Sequence, residues 1–233
     1  MQKPAQIRLF SVLIAGICAV STASILIRSA LDDGVPPLVV AAYRLTLAAL
    51  ILTPIVLRAR RPELRALTRR DWQWALLSGF FLALHFATWV SSIKYTTITS
   101  SVVLVTTGPI WVALLSWLIW RERLTRPVVI GLIVAVCGGM LVGFSDSSGL
   151  GLGGTQLWGD FLALLGAWFV AGYLLIGRQL RDRMSLLTYV YIVYGTAAIW
   201  LIGLAALSGA SFTQQADGQP YPASAISHRA ADP

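Results

Sequence analysis

Charge is what this sequence has least of. Only 12% of its 233 residues are Asp, Glu, Lys or Arg, while 57% are hydrophobic. Soluble domains carry about a quarter charged residues and need them on the outside. An ordinary soluble fold is therefore excluded, whereas a bilayer removes the need for a charged exterior. Acid is scarcer than base, 10 residues against 18, which leaves a net charge of +8. The basic residues sit in short clusters between apolar runs, with no basic stripe interleaved with aromatics, so the footprint of a nucleic-acid binder is missing. Only two cysteines occur, Cys18 and Cys137, both inside apolar runs. That excludes a disulfide framework and suggests small buried hydrophobes. No run alternates apolar with polar residues, as a membrane β-barrel requires. HExxH, GxSxG, a phosphate loop and a Cys/His cluster of metal-ligand spacing are all missing. Neither an enzyme nor a metal or other cofactor is therefore expected.

What is present is a series of seven apolar runs, over residues 9–27, 35–57, 72–93, 95–120, 127–144, 161–177 and 186–207. Most reach the roughly 20 residues that cross a hydrocarbon core about 30 Å thick. In lipid a helix satisfies its own backbone groups, so the expected fold class is an all-α polytopic bundle. The first run is long enough to span and more follow it, so it reads as a span rather than a cleavable signal. The sixth run is short unless its helix begins near Leu157. The nine Trp and seven Tyr suit the membrane–water interface. Arginine alternates across the connections. Lys3 and Arg8, then Arg58, Arg60, Arg61, Arg65, Arg69 and Arg70, then Arg121, Arg123 and Arg126, then Arg178, Arg181 and Arg183 all fall on one side. Arg28, Lys94, Asp32, Asp33, Asp146 and Asp160 fall on the other. The positive-inside rule then places the N-terminus in the cytoplasm.

A weak internal repeat lays Gly16 and Arg28 on Gly166 and Arg178 at one offset. More specific is the stretch Lys94-Tyr95-Thr96-Thr97, leading through Thr107-Gly108-Pro109-Ile110 to Trp120-Arg121-Glu122-Arg123-Leu124-Thr125. It resembles the fourth helix of EamA-type transporters of the drug/metabolite transporter superfamily. Val35-Pro36-Pro37-Leu38 with Ala41-Ala42-Tyr43-Arg44 resembles their second helix, and Gly159-Asp160-Phe161-Leu162-Ala163-Leu164 the opening of their second repeat. The resemblance implies two inverted five-helix repeats around a solute path. It implies a permease for a small metabolite or drug-like solute in the bacterial inner membrane. On this pattern residues 1–146 form a first repeat of five helices and 155–208 two helices of a second repeat. Residues 209–233 form a polar, disordered tail. The expectation is a transporter truncated in its second repeat and inactive if that loss is not made good, for instance by homo-oligomerisation. The alternatives are a non-transporting membrane assembly subunit and, ranked lower, an intramembrane enzyme.

Seven residues are candidates for the solute path. Arg44 lies roughly 14 Å from the end of its run. A charge that deep costs at least about 2.5–3.5 kcal/mol and needs a cavity or a partner. Two readings stand: a group that binds an anion or carboxylate, or a fork bonding carbonyls or hydroxyls of neighbouring helices. His85, at similar depth, binds solute or packs as a neutral hydrogen-bonded ring. Trp89 shares its helical face, as a cavity wall or an interfacial anchor. Thr106 and Thr107 precede Pro109, which lacks an N–H and should kink the fourth helix. They either re-satisfy the backbone or touch solute. Trp168 and Tyr173 add rings from the sixth run. Gly139 and Gly143 form a GxxxG expected to let helices pack closely, with no chemistry implied.

Overall fold

The computed structural model describes residues 3–122, 125–145 and 154–210, without the side chains of 3–9, 139–140 and 142–145. All of its regular structure there is helical: α1 (Lys3–Asp32), α2 (Pro37–Ala59), α3 (Arg61–Ala66), α4 (Arg69–Tyr95), α5 (Ile98–Val105), α6 (Gly108–Trp120), α7 (Arg126–Ser145), α8 (Gly154–Leu180) and α9 (Leu186–Leu207). The chain is an all-α polytopic membrane protein. Among the described residues six segments are long and apolar enough to cross a bilayer: α1 from Phe10, α2, α4, α5 with α6, α8 and α9. The fifth apolar run lies in α7, whose described apolar part, Arg126–Gly138, is shorter.

Local chemistry sets the helix ends. Pro36 and Pro37 open α2 with preset φ. Thr68 and Asp71 close a reciprocal capping box at the start of α4. Ser185 caps α9 by accepting from the Thr188 N–H. Gly34, at φ 85°, turns the chain after α1.

Two expectations need correction. The fourth run is not one kinked helix. It breaks into α5 and α6 at Thr106 and Thr107, with Pro109 in the first turn of α6. A proline at that point withholds no N–H that the new helix needs, so a fresh start replaces a strained kink. The cysteines are also not buried: Cys18 and Cys137 both lie on exposed surface. In a bilayer that surface faces lipid, which is as apolar as a core. The sixth run begins earlier than its apolar residues suggest, at Gly154. The packing of Gly139 and Gly143, and the tail from residue 211 onward, lie outside the described residues.

The core is the contact of α4 with α8 and of α2 with α9, tied together by α4 against α9. A stripe of small residues on α8 makes the first contact close. Gly159, Ala163, Ala167 and Ala171 recur every fourth residue, and the three alanines are fully buried. Small side chains let backbones approach where no hydrophobic effect drives helices together. A Cβ on Gly159 would lie 2.8 Å from the Thr96 nitrogen and 2.9 Å from the Tyr95 carbonyl carbon, so backbone meets backbone there.

Candidate functional site

The arginine-rich ends of the helices are tied across the bundle. Arg178 on α8 grips Glu122 after α6 with two hydrogen bonds of 2.8 Å. That guanidinium holds the Glu122 carboxyl below the usual carboxylate range. Arg183 reaches Asp71 at 3.3 Å. Glu63 of α3 accepts from the Ser185 N–H and hydroxyl. Burial pushes the Glu63 carboxyl up, but these donors outweigh it and leave it below its ordinary value. At the opposite end Asp160 Oδ1 accepts the hydroxyls of Thr96 and Ser100, each at 2.7 Å. Ser101 and Ser92 share a hydroxyl contact of 2.6 Å. Arg28 donates to the Ile93 carbonyl at 2.7 Å and pairs with Asp32 at 3.1 Å.

Between these ends, three of the sequence candidates come together. The Arg44 guanidinium sits 5.1 Å from the Phe86 ring centre and 5.8 Å from that of Trp89. The Trp89 ring stacks on His85, with centres 5.9 Å apart and planes 15° apart. His85 spans to the second half of the chain, with Nδ1 2.9 Å from the Gly166 carbonyl oxygen. A carbonyl only accepts, so Nδ1 carries the proton, and in the neutral ring Nε2 is the acceptor. The group therefore draws on α2, α4 and α8.

Its hydrogen bonding is incomplete. Arg44 Nη1 and Trp89 Nε1 are buried donors with no acceptor, and Thr46 Oγ1 is a third unpartnered buried atom. Among the described residues no carboxylate pairs with Arg44, and no carbonyl takes its protons. Nη1 thus has neither a carbonyl nor a hydroxyl of a neighbouring helix as acceptor. Guanidinium–ring attraction contributes about 0.5–1 kcal/mol per ring at such partly exposed sites, less than the insertion cost of the charge.

The other candidates fall elsewhere. Thr106 and Thr107 return their hydroxyls to the Val103 and Leu104 carbonyls, at 2.9 and 2.6 Å, which seals the break between α5 and α6. Thr107 also accepts from Trp111 Nε1 at 3.2 Å, and Trp111 meets Trp168 edge to face at 4.9 Å. Trp168 is nearly half exposed, at 48%. Tyr173 stacks on Tyr189 near the arginine-rich end. There the Tyr189 hydroxyl donates to the Tyr173 carbonyl at 3.2 Å and contacts the Ser78 hydroxyl at 2.6 Å. Phe86 and Trp111 complete these groups, and Trp111 carried no signal in the sequence. An aromatic residue inside an apolar helix does not say which way it faces. Phe86 alone was within reach, one position from His85 and three from Trp89.

Among the described residues no group of three His, Cys, Asp or Glu is placed to hold a metal ion. No solved structure matches the chain at a significant level. It is 23% identical over 200 residues to a protein of Bacillus subtilis (strain 168) named "Uncharacterized transporter YetK". The match takes in 85% of this chain but 60% of that relative, so the chain spans less than two thirds of the relative's length. The EamA-like transporter family model matches residues 7–144, and with the fold this shows that the chain belongs to the EamA-like transporter family.

Proposed function

We propose that the chain is a permease for a small metabolite or drug-like solute, and that Arg44, His85 and Trp89 form the solute-contacting part of its path. One observation carries this reading: a charged donor and an indole donor, both buried in the membrane interior, have no acceptor in the fold. An unpaired buried donor costs about 1–3 kcal/mol, and a ligand that accepts from it recovers that cost. Thr106, Thr107 and Trp168 border the break between α5 and α6, where two stiff segments can change their angle as alternating access requires. Tyr173 lies toward the arginine-rich mouth. The α4–α8 contact joins 1–146, the first repeat, to 155–208, the start of a second. With the arginine-rich ends in the cytoplasm of a bacterial inner membrane, the Arg28 and Asp160 end faces outward.

Arg44 is partly exposed, so a closed path needs further surface on that side. In this proposal a second copy of the chain supplies it. The test is reconstitution in liposomes over a range of protein densities, with uptake of a panel of organic anions, amino acids and organic cations. Saturable uptake that rises faster than linearly with density is expected. No saturable uptake at any density would overturn transport by this polypeptide. Family membership points to transport rather than catalysis.

A further inference from the structure

We infer that the Arg44 site takes a singly charged carboxylate carried on a flat apolar body, and turns organic cations away. This rests on the solute-path reading above and names its class of solute. Two of the three unmet polar atoms are donors only, Arg44 Nη1 and Trp89 Nε1, and the third is the Thr46 hydroxyl. The guanidinium lies 5.8 Å from the Trp89 ring centre, so the two unmet donors belong to one cluster. A guanidinium and an N–H beside it form a bidentate-type seat for two oxygens of one group.

Charge counting narrows the class. Arg44 brings one full positive charge. The neighbouring histidine spends its Nδ1 proton on the Gly166 carbonyl, and in the neutral ring its other nitrogen only accepts. Among the described residues no second cation and no acid pairs with Arg44, whose ring partners are Phe86 and Trp89. A monoanion balances this site, whereas a dianionic phosphate would carry an unpaired charge into low dielectric. An organic cation would meet the guanidinium with no carboxylate to offset the repulsion. The walls supply the rest of the preference. Phe86 and Trp89, the two rings beside the guanidinium, are buried at 9% and 5% exposure. Two such rings suit a planar apolar body better than a branched polar one.

The test uses the full chain with Cys18 and Cys137 replaced by serine. Phe86→Cys places a thiol beside the guanidinium. It is treated with three methanethiosulfonates of similar size: a sulfonate anion, a neutral ester and a trimethylammonium cation. The account expects the anion to label at least tenfold faster than the cation, and Arg44→Gln to erase that preference. In parallel, benzoate, benzamide and benzylammonium are added to the otherwise native chain and its melting midpoint is followed. Benzoate alone should raise the midpoint with concentration, and the rise should vanish in Arg44→Gln. Equal labelling by anion and cation, or equal stabilisation by benzamide, would overturn the carboxylate class while leaving a solute-accessible site. A thiol that even the neutral reagent does not reach, with no ligand shifting the midpoint, would overturn the path reading itself and this inference with it.

Discussion

Gly159→Ala should destabilise the protein far more than a single methyl group suggests. The new Cβ would stand 2.8 Å from the Thr96 nitrogen, 2.9 Å from the Thr96 Cβ and 2.9 Å from the Tyr95 carbonyl carbon. Two of those atoms are backbone, so no side chain can swing aside, and the start of α8 must move away from the end of α4. Overpacking of this kind costs about 1–3 kcal/mol. The same displacement pulls Asp160 from the hydroxyls of Thr96 and Ser100, now 2.7 Å away. Each such bond contributes about 1 kcal/mol. The total is about 3–5 kcal/mol, which a helix-propensity gain from alanine of about 1 kcal/mol reduces to about 2–4 kcal/mol. Gly195→Ala is the control, since a Cβ there meets nothing within 4 Å and only the propensity gain should remain. Reversible unfolding in mixed detergent micelles reads both. A Gly159→Ala protein as stable as the parent would refute the close α4–α8 contact on which the site depends.

Three further outcomes follow from the same geometry. Tyr189→Phe removes a hydroxyl that contacts Ser78 and the Tyr173 carbonyl, and should cost about 1–2 kcal/mol in the same unfolding assay. The Glu63 carboxyl lies below its ordinary value of 4.5 in the folded protein. Its stabilising contact with Ser185 is therefore complete above pH 4.5 and fades as the pH falls through the lower folded value. Glu63→Gln should flatten that acid limb when unfolding is followed from pH 6 downward, and an unchanged limb would contradict the assignment. Reporter fusions after Arg65 and Arg181 should both report cytoplasm, and a periplasmic signal at either would overturn the orientation.

Much of the fold was legible because lipid makes the rules simple. Uncharged runs of span length became helices, and the arginine clusters marked one set of ends. Less legible was anything that depends on which face meets which. The stripe Gly159, Ala163, Ala167 and Ala171 carries the α4–α8 contact, although the same spacing is easier to see at Gly139 and Gly143. The break at Thr106 and Thr107 was hidden because threonine inside an apolar run reads as part of the span. Only the hydroxyls returned to Val103 and Leu104 show that the helix restarts there. Arg44, His85 and Trp89 stood out as polar or amphipathic groups at one depth, and the structure brings them together. Trp168 and Tyr173 were chosen as rings on one helix, but they belong to two other groups of side chains.

The central claim is that Arg44 is kept for a solute rather than for the fold. Arg44→Met separates the two. A charge at this depth costs about 2.5–3.5 kcal/mol, and two partly exposed ring contacts return about 1–2 kcal/mol. Removing the charge while keeping a long apolar side chain should therefore leave the protein about 1 kcal/mol more stable. Saturable uptake into liposomes, measured at equal folded protein, should be lost. A variant that is destabilised by 2 kcal/mol or more yet transports as well as the parent would show that the guanidinium holds the bundle together, and would contradict the account.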